Sequence, residues 1–251
     1  MLEIRNLNKS FPNATSTVLD GINLELSMGD FCVILGANGS GKSSLLKSIM
    51  GEYRQDKGSI SIDGAEISNL PLYKRACLIS SVDQDITKGT IGEMSLLENI
   101  VLSNMKSKGA TAKLYSDSSL EIYKIVKGFK LGLEKYLYSP MNKLSGGQRQ
   151  AVATIMVMLS GAKLLLLDEH TSALDPKTSI KLMALTAKYI DESDITTLMV
   201  THNIMDAIEY GNRLIILSHG KIIADFNAKE KMNLTKEAIM RIFQSHGDAL
   251  C

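Results

Sequence analysis

The sequence predicts an α/β fold, with a mostly parallel sheet covered on both faces and a helical insertion near its middle. Three observations carry this. Phe31–Leu35 (FCVIL) and Leu164–Leu167 are continuous apolar runs too short for helices, as strands buried on both faces are. Helical stretches alternate with such strands along the chain. From about Lys88 to Leu159 the strand signals fade and helical spacing takes over.

Taken in order, Leu2 to Leu7 and then Ile22, Leu24 and Leu26 place apolar residues at alternate positions, the pattern of half-buried strands. The buried strand Phe31–Leu35 runs into GANGSGKSSLLKSIM, a glycine-rich turn that opens a helix. Gly58–Gly64 (GSISIDG) is a short strand between turn residues, and Leu78–Ser80 is another. In the insertion, Ile122, Ile125, Val126 and Phe129 share one helical face, and a helix rich in Ala and Met follows Ser145 to Leu159. After the strand Leu164–Leu167, Pro176 sits where a helix can begin, because its missing N–H is harmless in a first turn. Leu198–Val200 reads as a strand and Asn203–Tyr210 as a helix. Leu214–Leu217 and Ile222–Phe226 flank Ser218-His219-Gly220-Lys221, a hairpin turn. Lys236–Phe243 is a closing helix. With no repeat or long linker, one domain over 1–251 is expected: a core of 1–87 and 160–251 around a helical subdomain of about 88–159.

Composition narrows the function classes. The chain has 251 residues, 45% hydrophobic and 22% charged, with 28 basic and 27 acidic side chains and a net charge of +1. A nucleic-acid binder usually shows a basic excess, so no nucleic-acid partner is expected. No apolar run approaches the roughly 20 residues of a membrane-spanning helix. The N-terminus MLEIRNLNKS lacks the layout of a secretion signal. Any membrane role must therefore come through a partner. Cys32, Cys77 and Cys251 are scattered and read as reduced thiols. The 13 methionines read as core filler.

Gly36–Ser43 reads GANGSGKS, with a strand before it and a helix after. Glycines let backbone N–H groups wrap a phosphate, and the helix offers its positive end to the same anion. Gly36, Asn38, Gly39, Ser40, Gly41 and Ser44 line this cradle. Lys42 supplies a mobile charge for the β- and γ-phosphates, and Ser43 a hydroxyl for Mg²⁺. The strand ending in Asp168 puts a carboxylate, the second Mg²⁺ ligand, at the sheet edge, where ligands sit in open α/β folds. Glu169 follows directly, and suits a base that orients an attacking water.

Leu144–Gln148 reads LSGGQ, between the phosphate turn and the Asp168 strand. Five fixed letters recur by chance in on the order of one in a few thousand chains of this length. Together with TSALDP at Thr171–Pro176, VTHN at Val200–Asn203, Gln84 after the strand at Leu78 and Phe11 ahead of the phosphate turn, it makes the chain resemble ABC ATPases from end to end. The resemblance implies the P-loop NTPase fold of ABC ATPases, with an antiparallel β part and a helical signature subdomain. It implies ATP hydrolysis with Mg²⁺. Phe11 would stack on adenine, and Gln84 would contact Mg²⁺ or the attacking water. His202 would contact the γ-phosphate, joining Glu169, Gln84 and Lys42 as catalytic residues. Ser43, Gln84 and Asp168 would hold the metal. Ser145, Gly146, Gly147 and Gln148 would grip the γ-phosphate bound by a second protomer, so two chains face head to tail, with Asp175 at their contact. The chain departs from many relatives at Asp83, where they carry an aromatic or apolar residue, and at His170, where Pro is common. Asp83 is expected to bear on partner docking rather than on chemistry; at His170 a pH effect is conceivable, and a tolerated substitution is the favoured reading.

ABC ATPases drive transporters, act as soluble DNA-repair or translation factors, or serve membrane-linked division and signalling complexes. One phosphate turn, one LSGGQ and an insertion of ordinary length favour the transporter reading over the soluble one. DEHTSALDP, THNIMDAIEYGNRL and GTIGEMSLLENI resemble the branch paired with a substrate-binding protein and a permease of amino-acid-importer type, some members of which are assigned to tryptophan or tyrosine uptake. The expectation is an importer ATPase, a homodimer on the inner face of the cell membrane. Export, or a cargo-free complex, is the alternative. The permease contact is expected between Gln84 and Ile100, with Met94, Leu96 and Leu97 either facing it or packing within the helices.

Overall fold

Two sheets take up the strands, a mostly parallel core and the expected antiparallel part. The computed structural model describes residues 1–12, 17–85, 88–108 and 115–247. Its first half runs β1 (Leu2–Lys9), β2 (Leu19–Leu26), β3 (Phe31–Leu35), α1 (Lys42–Met50), β4 (Lys57–Ile62), β5 (Ala65–Glu66), α2 (Leu72–Arg75), β6 (Ile79–Val82), α3 (Leu96–Lys108) and α4 (Tyr115–Gly128). Two 3₁₀ turns, Leu133–Tyr136 and Met141–Lys143, lead to α5 (Gly146–Leu159). The chain continues through β7 (Leu164–Asp168), α6 (Pro176–Ser193), β8 (Thr196–Thr201), α7 (Ile204–Glu209), β9 (Arg213–Ser218), β10 (Lys221–Phe226), α8 (Ala228–Lys231) and α9 (Lys236–Ser245). A six-stranded sheet has the order β10-β9-β3-β8-β7-β6 and is parallel except for the β9–β10 hairpin. A separate antiparallel sheet has the order β2-β1-β4-β5.

The period-2 geometry of strands sorts the core. In β3, Cys32 and Ile34 face Leu45 and Ile49 of α1 and the apolar side of the antiparallel sheet. Phe31, Val33 and Leu35 face the opposite way, onto Met183 and Ile190 of α6, Ala207 of α7 and Ile239 and Phe243 of α9. Helices therefore cover one face of the large sheet, and α1 with the second sheet covers the other. A third apolar cluster joins Leu96, Leu97 and Ile100 of α3, Ile122 and Val126 of α4, and Val152 and Ile155 of α5. Leu96 and Leu97 are thus packed inside the helices, while Met94 is exposed.

The expected strands and helices all appear, with the strand at Leu78 shifted to β6. The sequence reading missed β5, α2 and α8, which are too short to show periodicity. The methionines divide: Met141, Met156, Met158, Met183 and Met199 are core, but Met28, Met205 and Met232 lie on the surface. Cys32 is buried and Cys77 exposed, both free thiols; Cys251 and the residues 86–87 at the expected subdomain boundary lie outside the described residues. Among the described residues no helix is long and apolar enough to cross a membrane.

Two contacts fix the phosphate turn from behind. The β9–β10 turn has His219 at φ 45° and Gly220 at φ 76°, as a two-residue hairpin with both central residues left-handed requires. Its Gly220 N–H donates to the Ser40 carbonyl at 3.0 Å. A Cβ on Gly220 would sit 2.5 Å from the Val18 carbonyl oxygen. At the far end of α1, the buried Arg75 guanidinium donates to the carbonyls of Ser48, Ile49, Ser68 and Leu70 at 2.7–3.2 Å. This places a cation at the negative end of the helix that starts in the phosphate turn. Arg75→Leu leaves these carbonyls without that donor, so a loss of about 3 kcal/mol is expected. Urea unfolding checks it, and an unchanged midpoint would remove Arg75 as an anchor of α1.

Candidate functional site

The turn Gly36–Gly41 leaves β3 and delivers Lys42 and Ser43 to the first turn of α1. Gly39 at φ 81° and Gly41 at φ 104° occupy the left-handed region that glycine tolerates without cost. Lys42 is buried, and its Nζ donates to the carbonyls of Gly36 and Ala37, both at 2.8 Å. Burial lowers its pKa, against the pull of the Glu169 and Asp168 carboxylates. The Ser40 hydroxyl is buried without a partner. Asn38, Gly39, Gly41, Lys42, Ser43 and Ser44 line an open pocket of about 410 Å³ with Val18, Gln84 and Glu169. A cationic ammonium and the positive end of a nine-residue helix, with the unpaired N–H groups of its first turn, suit a polyphosphate.

Asp168 ends β7 next to Ser43, whose hydroxyl hydrogen-bonds its carboxylate. Burial raises the Asp168 pKa, the Ser43 hydroxyl lowers it, and the charges of Glu169 and Asp83 raise it further. Two adjacent oxygen donors of this kind fit a hard cation such as Mg²⁺, which takes oxygen ligands and leaves positions for water and phosphate. Among the described residues no group of three or more His, Cys, Asp or Glu forms a metal cage. Asp83 pairs with Lys88 at 3.2 Å.

Glu169 adopts φ 46°, a left-handed backbone that costs a non-glycine residue about 1–2 kcal/mol. Its N–H donates to the Val200 carbonyl at 3.2 Å. Its carboxylate is flanked on both oxygens: Gln84 Nε2 donates to Oε2 at 3.3 Å, and His202 Nδ1 lies 2.8 Å from Oε1. Three strand ends, β6, β7 and β8, converge here because parallel strands deliver their C-termini to one edge. His170 is fully buried and its Nε2 has no partner; burial pushes its pKa down to about 4, so the ring is neutral near pH 7.

Other expected residues lie elsewhere. Phe11 does not line the pocket; its ring meets Tyr53 edge-on at 5.0 Å, with Lys9 Nζ 5.2 Å from the ring centre. Ser145 caps α5: its Oγ accepts from Gln148 N–H at 3.2 Å, and its own N–H donates to Gln148 Oε1 at 2.9 Å. The N–H groups of Gly146 and Gly147 in that first turn have no intrahelical acceptor. A Cβ on Gly147 would meet Leu174 at 2.9 Å, so glycine lets α5 approach the loop after Glu169. Residues 145–148 do not line the pocket of Lys42 and Glu169. Asp175 caps α6, accepting from Thr178 N–H at 3.1 Å, and hydrogen bonds from the Thr178 hydroxyl and N–H lower its pKa.

One residue that sequence reasoning missed stands out. Gln150 is fully buried in α5 and bonds the backbone of Glu169 and Ala173. A polar amide on the buried face of an otherwise apolar helix was the available signal.

Known proteins resemble this chain in sequence and in fold. The family model described as ABC transporter matches residues 19–172. The tyrosine transport ATP-binding protein of Clostridioides difficile is 44% identical over 97% of this chain and 99% of its own length. The xylose/arabinose import ATP-binding protein XylG of Sulfolobus acidocaldarius is 32% identical over 98% of this chain and 94% of its own. Among solved structures, the dimeric post-hydrolysis state of the ATP-binding cassette MJ0796, bound to ADP and phosphate, superposes with a TM-score of 0.80 at 29% identity. It covers 91% of this chain and 99% of that one.

Proposed function

The chain belongs to the ABC transporter family of ATP-binding proteins, and on that premise we propose that it is the ATP-hydrolysing subunit of an importer, working as a dimer beneath a separate membrane permease. One observation supports the reading most. Lys42, Ser43, Gln84 and Glu169 share a pocket that the helix cap at Ser145–Gln148 does not line. A second anion-binding helix end pointing elsewhere is accounted for if it serves the ATP of a second copy. The dimeric MJ0796 cassette gives the same reading a precedent.

In the proposed reaction, ATP phosphates enter the turn 36–43 and Lys42 exchanges its carbonyl bonds for phosphate oxygens. Phe11 would serve the adenine from the rim. Ser43 and Asp168, with Gln84 as a further contact, would hold Mg²⁺, which would supply positive charge against the phosphates. Glu169 accepts a hydrogen bond from the attacking water and aligns it with the γ-phosphorus. Gln84 and His202 keep its carboxylate from rotating. Closure by residues 145–148 of a second copy excludes water and completes the contacts to the γ-phosphate.

The permease would bind near Gln84–Ile100, where Ile91 and Met94 are exposed beside a cavity of about 150 Å³ lined by Asp83, Lys88 and Gly89. On this reading the protein works on the inner face of the membrane. The C. difficile relative supports an amino-acid cargo, recognised by the permease and a substrate-binding protein.

ATP-driven dimerisation tests the core of the proposal. Ser145→Arg puts a long cation where the partner's phosphate would dock, and is expected to abolish the ATP-induced dimer in size-exclusion chromatography while monomer affinity changes less than about threefold. A dimer that survives the substitution would sink the trans arrangement. Purification from solubilised membranes would identify the permease and its binding protein.

A further inference from the structure

Gln150 sits in α5 five residues after its Ser145 cap, and is fully buried. Its side-chain amide uses both of its ends. Nε2 donates to the Glu169 carbonyl at 3.3 Å, and Oε1 accepts from the Ala173 N–H at 2.9 Å. These are the two ends of the turn that carries Glu169 away from β7. The turn begins with Glu169 at φ 46°, and its one internal brace on that carbonyl is the Ser172 N–H at 2.9 Å. A strained backbone persists only where its surroundings over-determine it. Here the surroundings include one side chain from a different part of the fold.

From this geometry we propose that Gln150 is a positioning residue: its amide holds the Glu169 turn against α5, and so sets the base that aligns the attacking water. The proposal rests on Glu169 acting as that base. The same helix presents Ser145, Gly146 and Gly147 at its N-terminus. One rigid element then carries the anion-binding end for one ATP and the brace for the base that aligns water on the other. Gln150 does not touch the nucleotide pocket, so it acts through Glu169 and not through binding.

The test compares wild type, Gln150→Met, Glu169→Gln and the double variant, all as full chains. Methionine keeps the volume and removes both hydrogen bonds. Gln150→Met is expected to lower kcat about 10- to 100-fold, because small displacements of a reacting group cost that much, while the KM for ATP stays within about threefold. In the Glu169→Gln background, adding Gln150→Met is expected to change the residual rate less than about threefold, because residues acting as a unit are not additive. A kcat within about twofold of wild type, or a full multiplicative loss in the double variant, would overturn the proposal. Should Gln150→Met fail to fold, Gln150→Glu decides. It keeps the length and the acceptor for Ala173 and replaces the donor facing the Glu169 carbonyl; a wild-type kcat there would equally overturn the role. The two readings fail separately. An unimpaired Glu169→Gln removes the base assignment and this proposal with it, whereas an impaired Glu169→Gln beside an unimpaired Gln150→Met removes only the latter.

Discussion

Glu169→Gln is expected to lower kcat for ATP hydrolysis by about 10²–10³-fold, the contribution typical of a positioned general base. The amide keeps the size of the carboxylate but cannot accept the water's proton. Its oxygen can still take the Gln84 or the His202 hydrogen bond, so the fold of the site is expected to hold. ATP affinity should stay within about threefold, since the contacts of the phosphate turn are untouched. With binding intact and turnover blocked, the ATP-bound dimer should accumulate and elute early in size-exclusion chromatography. A steady-state rate near wild type would end the assignment of Glu169 as base and leave Asp168 or His202 to be tried in its place.

Lys42→Ala acts at the opposite end of the reaction coordinate. A charge-assisted contact to phosphate is worth about 1.5–3 kcal/mol, so ATP affinity by calorimetry should fall about 10- to 100-fold. A second consequence follows from the two carbonyls that Lys42 bonds at 2.8 Å. Removing the ammonium leaves Gly36 and Ala37 without that donor in a tight turn. The nucleotide-free protein should therefore lose about 1–2 kcal/mol in urea unfolding. Burial lowers the Lys42 pKa, but the Glu169 and Asp168 charges oppose this. Added ATP should stabilise wild type strongly and Lys42→Ala weakly, as a ligand that binds only the folded state does. Equal thermal shifts in the two proteins would count against the phosphate role.

The contrast between relatives bears on cargo. Proteins that serve tyrosine transport and xylose/arabinose import align along nearly their whole length with this chain. ATP hydrolysis is the same chemistry whichever solute is carried. Nothing in that chemistry touches the solute.

Much of this protein was determined by its sequence. GANGSGKS specifies a phosphate cradle because glycine at Gly39 and Gly41 and the cation at Lys42 act locally, within one turn and the helix that follows it. LLLLDEH specifies a buried strand ending in carboxylates for the same reason, since burial and the end of a strand are local. The hairpin at His219-Gly220 is legible because the left-handed turn needs those residue types. Tertiary structure alone decided what depends on chain segments far apart in sequence. The Arg75 clasp on the end of α1 and the effect of the Asp83 charge on Asp168 are of this kind. So is the grip of Gln150 on Glu169, 19 residues away along the chain. No periodicity or spacing encodes which buried amide meets which carbonyl. That is settled by packing, which leaves a buried polar group only the partners that the folded chain brings within hydrogen-bond reach.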